Sequence, residues 1–432
     1  MKKNNYIVYC LSIFLLIGCT KNEADIFPYS AAERLNSAMK DDFKVLTDAE
    51  NGWAMQYFAT TKSSGYTLLV KFETSGKATF AAKNEFTLNK QYETDTCLFE
   101  MIGDDGPVLT FNTYNKILHV FSNPVDPLGT DKLDGSGLEG DYEFVVTKTS
   151  VDQLVLKGKK RGTVIILNKI PTNVTWSQYV TDLDAMNTLL FSNNAPTLTT
   201  TIANSTYSFS NGANHIFNIL KAGAGSTTAV DAPFIVTRTG IRLQESQEIA
   251  GVKCQSFNLS DDKSSLVCVE NPSLKLVGAE DLAIYFAANL STWEFVPTEL
   301  SPNVKAIYDQ IVQSCVTKYN ATNVKLAIKY NTLSTRKSFD LTLTFLLNKT
   351  KTTEGNLDIK VAIDQKNTLT ISDKSTSDAN GKSFYTNVAG LKDMLTLISS
   401  GFALSTDASI NPRSIKFTQK LNNNTWFTVL AQ

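Results

Sequence analysis

Two hydrophobic periods take turns along this chain. Stretches with apolar residues every three or four positions are followed by runs of strict apolar–polar alternation, the marks of amphipathic helices and half-buried strands. The first helical stretch opens with Ser30-Ala31-Ala32-Glu33, a capping box, and puts Leu35, Met39, Phe43 and Leu46 on one face before Asn51-Gly52 ends it. Strand-like runs follow at 53–59, 66–73, 78–82, 97–102, 108–113, 117–122, 141–147, 153–156 and 163–167, each bounded by Gly, Asn, Asp or Pro. A long Pro-, Gly- and Asp-rich loop, 123–140, interrupts them. One helix followed by about nine antiparallel strands closes into a barrel or folds as two sheets.

The pattern then recurs without recognisable sequence repetition. After Pro171, Thr175 caps a second helix with Tyr179, Val180, Leu183, Met186 and Leu190 on one face. A polar run, 192–205, leads to strand-like runs at 206–210, 215–220, 234–238, 252–258, 266–270 and 283–287. Ser301-Pro302 opens a third helix, with Val304, Ile307, Tyr308, Ile311 and Cys315 facing inward. Further runs lie at 325–330, 339–347, 357–363 and 368–371; a fourth helix carries Val388, Leu391, Met394, Leu395 and Ile398, and runs at 414–419 and 425–430 close the chain. The expected fold is mainly β with a few helices: tandem antiparallel β-meander barrel or sandwich domains, each preceded by an amphipathic helix. The expected divisions are 1–18, a lipoprotein signal peptide; 19–29, a tether; 30–170, a helix plus meander domain; 171–300, a second β-rich domain; and 301–432, a C-terminal α+β domain.

The first of those divisions rests on an apolar run, Ile7 to Ile17, behind Lys2 and Lys3. It is too short for a membrane span of about 20 residues and fits a secretory signal. It ends in Leu16-Ile17-Gly18-Cys19, which resembles the bacterial lipoprotein box, where cleavage precedes a cysteine that takes up lipid. Acyl chains on Cys19, each buried methylene contributing about 0.8 kcal/mol, would hold the protein to a membrane. The polar, partly acidic segment Cys19-Thr20-Lys21-Asn22-Glu23-Ala24-Asp25 loosely resembles the surface-export signals of such lipoproteins. The outer membrane is the expected location, on its outer face, with the periplasmic face as the alternative.

Composition narrows the partners. A formal net charge of −1 gives no electrostatic footprint for nucleic acid. The abundance of Thr, Ser and Asn, with 24 Phe and 15 Tyr, suits an extracytoplasmic β-rich protein. Besides Cys10 and Cys19 there are Cys97, Cys254, Cys268 and Cys315, with no CxxC pair to suggest a thiolate zinc site. Cys254 and Cys268 are symmetric about Asp261 in an expected hairpin; they either form a disulfide or are two small buried residues.

Candidate chemistry is sparse. The two histidines, His119 and His215, sit in strand-like runs far apart, which leaves no HExxH and little for a triad. Gly135-Ser136-Gly137-Leu138-Glu139-Gly140 spells GxGxxG but precedes a strand, so it reads as a loop. Thr376, Asp378, Asn380 and Gly381 resemble the start of a calcium loop whose closing Glu is replaced by Asn387, so a hairpin turn is expected and no metal or cofactor. Lys157, Lys159, Lys160 and Arg161 form a basic cluster between strands, either an anion-binding patch or a solvated turn. Of Trp53, Trp176, Trp293 and Trp426, Trp293 follows a turn and is the best candidate for an exposed sugar-stacking platform, against the commoner alternative of packing. Glu139 with Asp141, or Asp104 with Asp105, are acidic pairs of the kind glycoside hydrolysis uses, though turn acids are the commoner case.

Several landmarks together look like a known family: Asn51-Gly52-Trp53 with Tyr57, Gly65-Tyr66 leading to Lys71-Phe72, Gly140-Asp141-Tyr142-Glu143-Phe144 followed by Leu156-Lys157-Gly158-Lys159-Lys160-Arg161-Gly162, and Thr237-Arg238-Thr239-Gly240-Ile241. They resemble uncharacterised Bacteroidota lipoproteins that carry a domain of unknown function, over most of the chain. The resemblance implies association with outer-membrane nutrient-uptake systems of the starch-utilisation type and assigns no catalytic residue. The expected function is therefore a non-catalytic outer-membrane lipoprotein that binds a glycan or other polymer, or serves an outer-membrane transporter. A carboxylate-based glycoside hydrolase and a structural or adhesive surface protein are the alternatives.

Overall fold

The computed structural model describes residues 28–104, 106–129, 135–191, 197–222, 229–288, 292–331 and 338–432. The signal sequence, Cys19 and Asp105 lie outside the described residues. The protein is mainly β, built of three closed antiparallel barrels of eight strands each, arranged in sequence order.

The first barrel comprises β1 (Trp53–Phe58), β2 (Gly65–Phe72), β3 (Lys77–Ala82), β4 (Glu93–Asp104), β5 (Gly106–Phe111), β6 (Glu143–Thr149), β7 (Gln153–Gly158) and β8 (Val164–Lys169), closed by β8 on β1. In β2, Leu68, Val70 and Phe72 point into the barrel, while Thr67 and Lys71 alternate with them. The run 117–122, expected as a strand, is instead a turn leading into a short 3-10 helix at His119–Phe121, because the Asn115 side chain accepts from the backbone N–H groups of Ile117 and Leu118 at 3.0 Å each and so bends the chain before it. That leaves an even number of strands, which closure of an all-antiparallel sheet requires.

Helix α1 (Ala31–Thr47) starts at the expected capping box, with Ser30 and Glu33 bonding reciprocally. It packs beside β4 and β5: Phe43 stacks on Phe99 at 5.6 Å, and Trp53 donates its indole N–H to the Leu46 carbonyl at 2.9 Å. Helix α2 (Trp176–Phe191) serves two barrels. Its start lies on the outer wall of the first, where Val180 joins Ala54, Leu69, Ala81 and Ile170 in a small core. Its end, Leu190 and Phe191, is part of the core of the second.

The second barrel comprises β9 (Leu198–Ile202), β10 (Ser205–Ser210), β11 (Ile216–Lys221), β12 (Val230–Val236), β13 (Gly240–Ile249), β14 (Val252–Leu259), β15 (Ser265–Cys268) and β16 (Lys275–Val277), with β9 between β10 and β16. Its core is rich in phenylalanine, Phe217 stacking on Phe234 at 4.4 Å. The run 283–287, expected as a strand, is helix α3 (Leu282–Ala288). The Asp281 carboxylate accepts from the backbone N–H of Ala283 at 2.8 Å and so starts the helix.

The third barrel comprises β17 (Thr292–Leu300), β18 (Thr322–Asn331), β19 (Ser338–Leu347), β20 (Lys351–Gln365), β21 (Thr368–Ser377), β22 (Gly401–Ser405), β23 (Ser414–Gln419) and β24 (Trp426–Ala431). The first of these strands precedes residue 301, so the boundary read from the sequence falls inside the barrel. Helix α4 (Pro302–Tyr319) is an insertion between β17 and β18 rather than a preceding element, with Val304, Tyr308, Ile311 and Cys315 buried as the spacing predicts. Helices α5 (Ala379–Asn387) and α6 (Leu391–Ile398) lie between β21 and β22. The calcium-like stretch is the start of α5: Asp378 accepts from the Gly381 N–H at 2.6 Å and from the Asn356 side chain at 2.8 Å, so it is a helix cap and not a hairpin turn.

The second and third barrels are joined by the segment 406–413 between β22 and β23. Ile410 is fully buried within the core of the second barrel, its N–H bonded to the Lys263 carbonyl at 3.0 Å, while Asn411 donates to the Leu190 carbonyl at 3.2 Å. Apolar side chains fill all three barrels, the reverse of a membrane-spanning barrel with a polar lumen. No helix among the described residues is long and apolar enough to cross a membrane.

Candidate functional site

Because the barrel interiors are filled, open space occurs where barrels meet. One cleft among the described residues, of about 620 Å³, lies between the first barrel, α2 and the second barrel. Tyr66 enters it from β2, Lys83 and Glu85 from the segment after β3, Asp184 and Asn187 from one face of α2, and His215 from the turn before β11. Tyr66 donates its hydroxyl to Glu85 Oε1 at 2.7 Å, and its ring is held by Phe86 and Phe121 at 5.4 and 4.9 Å. His215 Nε2 meets Asn187 Oδ1 at 2.8 Å, with Phe191 and Phe234 against the imidazole at 5.8 and 5.3 Å. Lys83 and Asp184 form an ion pair across the cleft.

Burial sets the electrostatics. It raises the Tyr66 phenol well above its ordinary range, with the Glu85 charge acting in the same direction. It lowers the His215 imidazole below its ordinary value, an effect the Glu85 charge partly offsets. The cleft offers an imidazole, a phenol, an amide and a carboxylate, each already oriented by a partner: a hydrogen-bonding surface suited to hydroxyl-rich ligands. A smaller cleft of about 490 Å³ lies between the second and third barrels, lined by Ser264, Glu280, Lys366, Asn367, Ser405 and Thr406.

The residues singled out in the sequence lie elsewhere. Trp293 is fully buried, its ring against Phe286 at 5.4 Å and Tyr285 at 6.4 Å; it is the second residue of β17 and points into the barrel, so it is packing and no platform. The basic cluster is a turn held together from within. The buried Asp141 carboxylate accepts from the backbone N–H groups of Lys160 and Arg161 at 3.1 and 2.7 Å. Lys159 reaches Asp104 at 2.6 Å and Glu143 at 3.8 Å, and Arg161 reaches Glu139 at 2.6 Å. The side chains of Lys157 and Lys160 are exposed. A Cβ on Gly158 would stand 2.2 Å from the Asp141 carboxylate, which accounts for glycine within the cluster. Glu139, Asp141 and Asp104 thereby serve this turn and do not converge on a cleft.

Cys97, Cys254, Cys268 and Cys315 are free and buried. The register sets Phe257, not Cys254, opposite Cys268, so the hairpin symmetry expected about Asp261 does not hold. His119 belongs to a turn of the first barrel and is unrelated to His215. Apart from His215, weighed only as one of two histidines, the cleft residues escaped sequence reading because none stands in a local motif; Gly65-Tyr66 was visible only through the family resemblance. No group of three or more His, Cys, Asp or Glu fit to hold a metal occurs among the described residues.

The fold defines a class: a tandem array of filled β-barrels with clefts at the seams. A family described as a domain of unknown function (DUF4302) matches residues 23–261, and the chain belongs to that family. No curated protein matches the chain. Among solved structures, the β chain of DNA polymerase III from Streptococcus pneumoniae TIGR4 is similar over 92% of this chain and 97% of that chain, at 8% identity and a TM-score of 0.14, too poor a superposition to carry an argument.

Proposed function

We propose that this protein is a non-catalytic lipoprotein, held on the outer membrane through Cys19, that binds a glycan in the cleft between its first and second barrels and works beside an outer-membrane nutrient transporter. The observation that carries the reading is the cleft itself, with Tyr66–Glu85 and Asn187–His215 oriented in advance at a domain seam. Preorganised polar groups lower the cost of binding a flexible, hydroxylated ligand. The anchor rests on Leu16-Ile17-Gly18-Cys19.

Hydrolysis is the second reading, because two carboxylates, Glu85 and Asp184, line the same cleft beside an aromatic ring. Two facts weigh against it. Asp184 is tied to Lys83, and Glu85 accepts the hydrogen bond of Tyr66. A structural or adhesive role needs no cleft, so the clefts at both seams favour the binding reading over it.

The test is a panel of neutral and acidic polysaccharides read by thermal shift and by released reducing sugar. Ligand at 100 times Kd adds about 2.7 kcal/mol of stability. Stabilisation without sugar release is the expected result. Sugar release refutes the binding reading and directs substitution at Glu85 and Asp184. Cys19→Ala should move the protein from the detergent phase to the aqueous phase; if partitioning is unchanged, the anchor is elsewhere.

A further inference from the structure

The exposed aromatic platform that Trp293 does not provide exists on the first barrel. His119 lies between two tyrosines, its ring 5.4 Å from Tyr114 and 5.2 Å from Tyr142, at interplanar angles of 31° and 34°. Both tyrosines are open to solvent, Tyr114 to 63% and Tyr142 to 43%. The wedge between them is fixed. His119 Nδ1 accepts from the Asn115 backbone N–H at 3.0 Å, and the His119 backbone N–H bonds to the Asn115 carbonyl at 2.8 Å. Tyr142 follows Asp141, whose buried carboxylate holds the 159–162 turn, so its backbone is anchored too. Two exposed amphipathic rings thus pack on a fixed imidazole at the surface, a use of exposed apolar area that barrel packing does not need.

We propose that Tyr114 and Tyr142, held on either side of His119, form a stacking platform for the pyranose rings of a neutral polysaccharide. This extends the glycan-binding reading and rests on it. An aromatic face receives the C–H face of a sugar while the phenol reaches its hydroxyls, and a ring fixed beforehand loses little entropy on contact. Charge selects the neutral polymer. Beside Tyr114 and Asp141, Lys116 pairs with Glu93 and Arg161 with Glu139, which weakens the pull of these two cations on an acidic polymer. The aromatic area is also small for a protein partner, whose stable docking buries about 800 Å² on each side.

The experiment is affinity electrophoresis of the full chain in native gels containing xyloglucan, galactomannan, amylopectin or dextran, with polygalacturonate as the acidic comparison. At least one neutral polysaccharide should retard the protein. Tyr114→Ala and Tyr142→Ala should each weaken that retardation roughly 3- to 10-fold, the worth of one aromatic contact. Tyr142→Phe, which keeps the ring, should lose less than Tyr142→Ala. Truncation of an exposed apolar residue outside the platform, Leu421→Ala, should change nothing; Leu421 is 93% exposed. Thermal melts matching the parent protein show that the tyrosine variants fold. Undiminished retardation of both alanine variants overturns the platform; if Glu85→Gln then abolishes retardation, the cleft reading stands alone. Stronger retardation by polygalacturonate overturns the neutral assignment. Retardation by none of the polysaccharides overturns platform and cleft together.

Discussion

Ile410 belongs by sequence to the third barrel and by packing to the second, and replacing it shows whether the barrels are mechanically separate. Its side chain is fully buried among Phe209, Leu266, Leu274 and the other residues of the second core. Truncation of a buried isoleucine to alanine costs about 2–5 kcal/mol, the lost transfer energy plus the cavity left behind. At 1.4 kcal/mol per tenfold change, Ile410→Ala should increase opening of the second barrel roughly 30-fold or more. Hydrogen exchange read by mass spectrometry, peptide by peptide, locates the loss. Faster exchange is expected in β9–β16, more than a hundred residues from the substitution. Gly278→Ala should do the same from the other side, since a Cβ there would stand 2.0 Å from the Ile410 carbonyl oxygen and must expel the segment. Residues sharing one contact do not add, so the double variant should be little worse than the worse single one. Exchange that rises only in 401–419, with β9–β16 unchanged, refutes the idea that the segment completes the second core.

Burial pushes the thiols of Cys97 and Cys254 up to about 12 and that of Cys315 up to about 11, so Ellman's reagent at pH 8 should find these cysteines inert until the protein is unfolded; if the unfolded, unreduced chain still withholds Cys254 and Cys268 from the reagent, they are disulfide-bonded and the free-thiol assignment fails. Hydrogen bonds from Ser260 and Ser264 lower the Asp262 carboxyl to about 2, so its contribution to stability is present above the ordinary value of 3.8 and is lost as pH falls through about 2; a carbon-13 NMR titration midpoint near 3.8 would contradict the turn geometry. Asp141→Ala leaves the Lys160 and Arg161 N–H groups without their acceptor at about 1–3 kcal/mol each, and should lower the melting temperature by several degrees; an unchanged melt would mean that the turn holds itself.

What the sequence made legible follows from what is local. Caps and long amphipathic helices were readable: Ser30 with Glu33, Thr175, whose hydroxyl accepts from Gln178, and the buried face of α4. So were most strands, because the inside–outside alternation of a filled barrel is written residue by residue. The misreadings have physical causes. Run 283–287 is too short for its period to separate helix from strand, and Asp281, a cap in plain view, decided it. Strand β9 hid in a polar run because its outward threonines mask the alternation, and β16 is three residues long. Trp293 looked exposed because a turn precedes it, whereas β17 starts at once and turns the indole inward.

The site was illegible for a different reason. An eight-stranded barrel has an interior that side chains just fill, and here phenylalanine and leucine fill it three times over. Such a core leaves little open space, and the two clefts described lie at the seams between barrels. A seam is made by elements that serve two barrels, and α2 is the clearest: Val180 packs on the first, Leu190 and Phe191 in the second, while Asp184 and Asn187 between them face the cleft. Its partners there, Tyr66, Glu85 and His215, come from two other barrel edges, and no spacing along the chain relates them. Arg238, the second residue of the Thr237–Ile241 run in the second barrel, clamps the same helix by pairing with Asp182 at 2.6 Å and lying 5.1 Å from the Tyr179 ring. Arg238 thereby holds α2 to the second barrel, and the cleft depends on how that helix seats the second barrel against the first. Substituting Arg238 should consequently disturb binding in the cleft without altering a residue that lines it, whereas the Tyr114–Tyr142 platform, carried wholly by the first barrel, should be indifferent to the same change.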